Sequence, residues 1–310
     1  LVHDLDFKVV VTGEGADEML AGYDIFREAA VRRLVAEHPD AVNAQELVLR
    51  LYPWMKRSPA QAPAFAKAFF SQAGDPSDPA FSHRPRWRTS AALLRMLHPE
   101  FGAPAGDAVA SALTADLPAA FAGWHPLEQA QYLESRTLLA GYILAPQGDR
   151  MLMGHSVEGR FPFLDHRVME LSSSLPADQK LNDLDEKHIL KRAFADLIPD
   201  EVAARPKQPY RAPDASSFFS AGGAVDWLRD TLAPQALTEA GVFNPAVVAG
   251  LVRKCESRDG LGMSNTDNMR IVAVLSTMLL HHQMIANRSA FDRAMREGES
   301  VPVTRIPQRA

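Results

Sequence analysis

A short acidic and glycine-rich segment follows the first apolar run of the chain. Its residues are Thr12, Gly13, Glu14, Gly15, Ala16, Asp17 and Glu18. Backbone N–H groups and the dipole of the helix expected next would attract an anion to this segment. Its carboxylates would repel phosphate unless a divalent cation bridged them, so Asp17 is a candidate magnesium ligand. The alternative is a plain glycine turn whose acidic residues favour the helix N-terminus, and the segment alone leaves both interpretations open.

A second segment, from Gln147 to Asp165, places charged residues among apolar and small ones. Buried charges need a partner of opposite sign or a ligand, so we expect ion pairs here. The natural pairs are Asp149 with Arg150 and Glu158 with Arg160. Such pairs could orient helices under a site or act directly on a substrate, and for Glu158 and Arg160 we favour the structural role.

A lysine in a proline-rich stretch is the third candidate. Lys207 lies between Arg205 and Pro213, where three prolines exclude a regular helix and predict a constrained loop. A lysine ammonium on such a loop could neutralise a leaving pyrophosphate or the charge of a transition state. An ordinary solvated lysine is the alternative.

One strand and many helices must position these residues. Phe7–Thr12 is a β-branched run typical of a buried parallel strand, and we find almost no second strand of similar quality. Apolar spacing predicts helices over Ala16–Glu37, Ala44–Leu51, Ala60–Gln72, Thr89–Leu97, Gly106–Trp124, Pro126–Gly141, Arg150–His155, from Leu164 to before Pro176, and over Asp185–Leu197. Ser264 to about Ile285 should form a capped core helix. The fold class is therefore α/β and mostly helical.

Composition excludes several classes of protein. The 310 residues are 46% hydrophobic and 23% charged, which is typical of a folded domain and excludes global disorder. A formal charge of -5 speaks against dedicated nucleic-acid binding. The single cysteine, Cys255, cannot form an internal disulfide, so we expect a cytoplasmic location. Polar residues interrupt the longest apolar stretches, so we expect no membrane span.

Four motifs, taken in order, resemble the synthetase domain of glutamine-hydrolysing asparagine synthetases. They are Val9 to Tyr23, Gly148 to Asp165, Lys187-His188-Ile189-Leu190 and Arg205-Pro206-Lys207. The resemblance implies the C-terminal part of an ATP-pyrophosphatase (adenine nucleotide alpha-hydrolase-like) fold, with little of its parallel sheet left in this chain. We expect that part over residues 1–285 and a poorly ordered tail over residues 286–310.

The resemblance also implies a reaction and its residues. Aspartate would be adenylated by ATP, with Mg²⁺ as cofactor, and ammonia from glutamine would convert the aspartyl-AMP to asparagine. By motif, it assigns Glu14 and Lys207 to catalysis, Thr12, Gly13 and Gly15 to ATP or AMP, Asp17 to magnesium, and Asp149 and Arg150 to the aspartate end.

Three expected features of that family are absent from the chain. They are the S-G-G-x-D-S pyrophosphate loop, the second magnesium aspartate and the N-terminal cysteine of the glutaminase domain. We therefore expect the chain to be inactive alone and to need the glutaminase and pyrophosphate-loop regions, in the same polypeptide or in a second chain. A homodimer, a related adenylating amidotransferase acting on another carboxylate, and an inactive interaction scaffold all stay open.

Overall fold

The structure is a computed structural model that describes residues 2–40, 43–52, 74–102, 108–205, 207, 214–220 and 223–287. The chain forms two compact units. The first comprises Leu1–Pro85 with Ala110–Pro209, and the second comprises Arg86–Val109 with Tyr210–Ala310. The helix predicted over Ala60–Gln72 and nearly all of the expected 286–310 tail lie outside the described residues. The prediction of one domain over residues 1–285 stays a prediction.

Helices dominate both units, as the apolar spacing predicts. The α-helices span Val2–Leu5, Ala16–Met19, Asp24–Glu37, Ala44–Leu51, Arg84–Ala91, Ala108–Ala115, Pro126–Glu134, Arg150–Gly154, His166–Ser174, Ala177–Lys180, His188–Ala193, Asp200–Ala203, Asp226–Thr231, Pro234–Ala240, Pro245–Glu256 and Asn265–Leu280. Short 3-10 helices span Ala92–Met96, Pro99–Phe101, Phe121–Gly123, Pro162–Leu164 and Ala215–Ser217.

Strands are short and occur in pairs. Val9–Val11 pairs in parallel with Glu158–Arg160, so that Val10 lies opposite Gly159. Two antiparallel pairs join Leu181–Asn182 to Asp185–Glu186 and Phe219–Ser220 to Gly223–Ala224. The predicted α/β class is compatible with this arrangement, whereas the specific ATP-pyrophosphatase fold stays a prediction.

The parallel partner strand was missed at the sequence level. Glu158–Arg160 carries two charged residues and a glycine, which lack the β-branched signal of Val9–Val11. Both of its charged side chains are exposed and pair with each other, Arg160 Nε donating to Glu158 Oε1 at 2.5 Å. The strand therefore forms through backbone pairing with Val9–Val11 rather than through burial of its own side chains.

The helix predicted over Ala16–Glu37 is wrong in its middle. The structure has a short helix, Ala16–Met19, and a second one, Asp24–Glu37. Ala21 lies between them at φ 56°, in the left-handed region, and this conformation ends the first helix. The break lets the chain fold back beside Asp17, because Gly22 N donates to Asp17 O at 2.8 Å.

The helix predicted to end at Gly141 continues instead. Pro126–Glu134 runs into a π-helix, Ser135–Asp149, and then into Arg150–Gly154. Arg150–His155 is therefore not the next helix, as predicted, but the end of the same helical run. The wider π turn accommodates the ring of Pro146, which would meet the carbonyl four residues earlier in an α-helix.

The predicted core helix near the end is confirmed in the second unit. The Ser264 side chain accepts from Asp267 N and caps Asn265–Leu280, as its spacing predicts. The helix continues as a π turn, His281–Ala286. Its buried apolar residues are Ile271, Val274, Leu275 and Met278, which pack with Leu228, Leu237, Val248 and others.

Among the described residues, one helix is long and apolar enough to cross a membrane. The sequence had led us to expect no such helix. The helix is Asn265–Ala286, with 22 residues. This is weak evidence for a membrane, because the core helix of a soluble protein meets the same test. The residues that it contributes to the core of the second unit are consistent with that second explanation.

A matched pair of glycine substitutions tests the turn after the first strand. Gly15 has φ 90°, and a Cβ there would lie 2.3 Å from Leu164 Cδ2. At Gly13 an added Cβ would have no heavy atom of the described residues within 4 Å beyond its chain neighbours, and the backbone is not left-handed. We expect Gly15→Ala to lower the free energy of unfolding by about 1–3 kcal/mol, and Gly13→Ala to change it by less than about 1 kcal/mol. Urea unfolding followed by circular dichroism measures both, and equal losses in the two variants would contradict the prediction.

Candidate functional site

The candidate site begins where the Val9–Val11 strand ends. Thr12 N donates to Arg160 O at 3.0 Å, which extends the parallel pairing by one bond. The Thr12 hydroxyl is buried and has no hydrogen-bond partner within the described part of the chain. Glu14 is half-buried, and its carboxylate forms no hydrogen bond or ion pair with the described residues. The strand end therefore carries two polar groups without a hydrogen-bond partner among the described residues, the Thr12 hydroxyl and the Glu14 carboxylate.

A hairpin brings a lysine from far along the chain to this strand end. The helix predicted over Asp185–Leu197 is wrong at its start, because Asp185–Glu186 is a strand paired with Leu181–Asn182. Asp183 and Leu184 make the hairpin turn at φ 44° and 69°. Lys187 follows at φ 52°, and its N–H donates to Leu20 O at 3.2 Å.

Asp17 is the centre of the site. Lys187 Nζ donates to Asp17 Oδ1 at 2.8 Å, and Lys207 Nζ donates to Oδ2 at 2.5 Å. The side chains are only 15%, 24% and 25% exposed for Asp17, Lys187 and Lys207. Burial alone would raise the pKa of Asp17, but the hydrogen bonds and charges of the two lysines outweigh it and lower that pKa. One half-buried carboxylate thus holds two ammonium groups from distant segments.

Gly22 allows this close arrangement. A Cβ at Gly22 would lie 2.0 Å from Asp17 Oδ1 and 3.0 Å from Lys187 Cε. Any side chain at this position would therefore displace the carboxylate, the lysine or the backbone between them. The lysine cluster therefore depends on glycine at position 22.

The backbone of Lys207 is held by a residue of the hairpin. Its N–H donates to Oε1 of Glu186, a buried carboxylate that also faces Lys191 Nζ at 3.5 Å. Lys191 Nζ additionally donates to Asp185 Oδ1 at 2.6 Å. The Asp185–Glu186 strand therefore fixes both lysines. Lys187 directly follows the strand in sequence, and the backbone of Lys207 is bound by the Glu186 side chain.

A buried polar layer surrounds Glu18, the residue after Asp17. Tyr23 donates its phenol proton to Glu18 Oε1 at 3.0 Å. Gln131 Nε2 donates to the backbone carbonyls of Glu18 and Met19 at 2.7 and 2.8 Å. Burial, with the charges of Asp17 and Glu134, raises the pKa of Glu18 despite the Tyr23 hydrogen bond. This layer fixes the backbone that carries Asp17.

The structure does not bring Asp149 and Arg150 into the lysine cluster through any contact of the described residues. Both side chains are exposed and make no hydrogen bond or ion pair there, so the expected Asp149–Arg150 pair is wrong. Glu158 and Arg160 do pair, as predicted, but at the surface rather than in the interior. The prediction assumed that the two charges are buried and therefore must be paired. Because both side chains are exposed, neither charge needs a partner for that reason.

Four of the predicted residues lie together at the strand end, and Lys207 joins them through Asp17. The four are Thr12, Gly13, Glu14 and Gly15. Lys187 and Tyr23 were not assigned roles from the sequence. The signal for Lys187 was present in the Lys187-His188-Ile189-Leu190 motif, but the predicted helix concealed the hairpin that turns Lys187 towards Asp17.

The donor set around Asp17 does not by itself form a magnesium site. Both of its carboxylate oxygens already accept hydrogen bonds from ammonium groups. The described residues hold no cluster of three His, Cys, Asp or Glu side chains suited to a metal ion. Two ammonium groups favour an anion at this position instead, and phosphate oxygens are the anionic groups that lysines commonly bind.

Comparisons with known proteins agree with the resemblance seen in the motifs. The family model described as asparagine synthase matches residues 1–283. A putative glutamine-hydrolysing asparagine synthetase of Mycobacterium tuberculosis is 31% identical over 73% of this chain and 32% of its own length. An amidase of Penicillium rubens is 31% identical over 68% of this chain and 33% of its own length. Asparagine synthetase 1 of Bacillus subtilis is 24% identical over 90% of this chain and 41% of its own length.

The chain spans about a third of the length of the first of these relatives. No solved structure gives a significant match. The family match covers both compact units almost to the end of the described residues, and it includes Glu14, Asp17, Lys187 and Lys207. The predicted resemblance is confirmed: this chain belongs to the asparagine synthase family.

Proposed function

We propose that this chain is the part of an ATP-dependent ligase that activates a carboxylate as an acyl-adenylate and amidates it, with aspartate as the acid and asparagine as the product. The observation that carries the proposal is the convergence of Lys187 and Lys207 on Asp17, beside the end of the first strand. Membership of the asparagine synthase family supports the reaction class.

The charges of the site suit the first half of the reaction. The substrate carboxylate attacks the α-phosphorus of ATP, a new C(O)O–P bond forms, and the bond to pyrophosphate breaks. Lys187 and Lys207 carry two positive charges against the single negative charge of Asp17, so the cluster is net positive. That surplus would stabilise the leaving pyrophosphate or the charge that develops on phosphorus.

Glu14 is suited to the second half of the reaction, in which ammonia replaces AMP. Ammonia attacks the acyl carbon, the C–O bond to AMP breaks, and the nitrogen must lose one proton. Because its carboxylate has no partner among the described side chains, Glu14 is free to accept that proton. In the same proposal Thr12, Gly13 and Gly15 lie along the nucleotide, and the unsatisfied Thr12 hydroxyl supports a polar ligand there.

ATP fits this donor set better than a resident metal ion does. Magnesium is commonly bound through substrate phosphates and one or two carboxylates, so it would arrive with ATP rather than be held by the chain alone. The family resemblance assigns Asp17 to magnesium, but Lys187 and Lys207 already bind both of its carboxylate oxygens, so in this proposal Asp17 positions the two lysines. Asp149 and Arg150 stay assigned to the aspartate end as part of this proposal.

The proposal requires further chain. The glutaminase and pyrophosphate-loop regions would be supplied in the same polypeptide or by a second chain, and without them we expect neither glutamine hydrolysis nor synthesis. The Mycobacterium tuberculosis and Penicillium rubens relatives are about three times as long as the region that matches this chain, which is consistent with this requirement.

A second acid is the alternative supported by a specific observation. The Penicillium rubens relative is named an amidase rather than an asparagine synthetase, at the same 31% identity. Pyrophosphate release measured with aspartate and with competing carboxylic acids separates the two. Release that depends on another acid would contradict aspartate while keeping the adenylating chemistry.

Removing a reacting group tests the assigned roles. In the complete enzyme, we expect Lys207→Ala and Glu14→Ala each to lower asparagine synthesis by about a hundred- to thousandfold, because each removes a charge that acts in only one half-reaction. Glutamine hydrolysis, measured as glutamate release, should be unchanged. Lys254→Ala is the control, since Lys254 pairs with Asp267 in the second unit. Normal asparagine output in either site variant would refute the assignment.

A backbone substitution tests the geometry without removing any reacting group. We expect Gly22→Ala to lower the synthesis rate by about a hundredfold, since the new methyl group displaces Asp17 or Lys187. Gly250→Ala is the matched control, because Gly250 lies in Pro245–Glu256, where the added carbon would have no described atom within 4 Å beyond its chain neighbours and its own helix backbone. Both rates come from the same pyrophosphate-release assay. Equal activity in the two variants would show that the close approach of Asp17 to Gly22 has no part in the reaction.

A further inference from the structure

We propose that the ring of Tyr23 is a positioning element that holds the Lys207 ammonium in the site by a cation–π contact. The proposal rests on the proposed function for the use of Lys207, but the contact can be tested without that function. Lys207 Nζ lies 5.3 Å from the centroid of the Tyr23 ring, within the usual range for such contacts.

Tyr23 is well suited to hold a cation because its own position is fixed. It precedes the Asp24–Glu37 helix with an extended backbone, and its carbonyl accepts from Phe26 N at 3.1 Å. The Phe26 ring packs against it with centroids 6.3 Å apart, and Phe26 is itself buried. The ring is therefore preorganised before any ligand arrives.

The phenol group completes this anchoring. It donates to Glu18 Oε1, and burial together with the Glu18 and Asp17 charges raises the pKa of Tyr23. The phenol therefore stays protonated and keeps donating at neutral and moderately alkaline pH. The hydroxyl fixes the edge of the ring, and the face is left for Lys207.

The ring supplies what Asp17 cannot. A lysine has four flexible methylenes, and Lys207 is held otherwise by its backbone bond to Glu186 and by Asp17. When an anion binds, it competes with the Asp17 carboxylate for the same ammonium. The face of the Tyr23 ring carries no net charge, so it does not repel an incoming anion. The ring still attracts the Lys207 ammonium when the anion replaces Asp17 as its partner, and so keeps Lys207 near the anion.

Competitive acetylation tests the contact directly in the full-length protein that contains this chain. Isotope-coded acetic anhydride, followed by mass spectrometry, gives the acetylation rate of Lys207 relative to Lys254. Lys254 is the internal reference because it pairs with Asp267 at 2.6 Å in the second unit. We compare the wild type with Tyr23→Leu, which removes the ring, and Tyr23→Phe, which keeps the ring and removes only the hydroxyl.

We expect Tyr23→Leu to raise the acetylation rate of Lys207 by about three- to tenfold, the size expected from the loss of one partly buried cation–π contact. Tyr23→Phe should stay within about twofold of the wild type, since it retains the ring face. An unchanged Lys207 rate in Tyr23→Leu would overturn the proposal. So would an equal rise in Tyr23→Phe, which would assign the effect to the hydroxyl, or an equal rise at Lys254, which would indicate general loosening.

A second arm separates this proposal from the proposed function. Inorganic pyrophosphate should slow the acetylation of Lys207 in the wild type if the lysines bind phosphates. If pyrophosphate does not slow the acetylation of Lys207 in the wild type, the lysines do not bind phosphate. If Tyr23→Leu still raises the Lys207 rate in that case, the cation–π contact is supported independently of the proposed function. In the active enzyme, the apparent KM for ATP should rise about fivefold in Tyr23→Leu and less than about twofold in Tyr23→Phe. A fall in kcat alone, with the KM for ATP unchanged, would overturn the positioning role.

Discussion

The pairing of one half-buried carboxylate with two ammonium groups is the interaction on which the site depends. Asp17, Lys187 and Lys207 come from segments about 170 and 190 residues apart in sequence. Without Asp17, the two lysines would repel each other in a region that is mostly withdrawn from water. With it, the low pKa of Asp17 keeps its charge in place, and the three segments are held at the end of one strand.

Several unusual local conformations serve this pairing. Ala21 and Lys187 both lie in the left-handed region, which is costly for residues with a side chain. Each is held there by contacts made beyond its own neighbours, since Lys187 N donates to Leu20 O and Gln131 binds the carbonyls just before Ala21. Left-handed residues that are fixed in this way commonly mark functional sites, and here they flank the lysine cluster.

Local sequence patterns predict some elements of the fold and miss others that build the candidate site. The Val9–Val11 strand, the glycine turn and the capped Asn265–Leu280 helix follow from local patterns, and the family resemblance is confirmed. The break at Ala21 and the hairpin before Lys187 do not, because helical periodicity continues through both and tertiary contacts override it. Glu158–Arg160 was missed because its pairing depends on Val9–Val11 rather than on its own residues.

The cluster of Asp17, Lys187 and Lys207 forms entirely within the first unit, although the proposed reaction requires further regions of protein. The Asp17 cluster is complete within that unit, since its three residues and the Tyr23, Glu18 and Gln131 layer all lie there. The first strand, in contrast, leaves Val9 and Val11 46% and 68% exposed, although parallel strands are normally covered on both faces. The sheet beside the cluster thus keeps an apolar surface of the kind that further strands or helices cover. Among the described residues, the lysine cluster thus has its own charge partners, whereas the strand beside it keeps exposed apolar side chains.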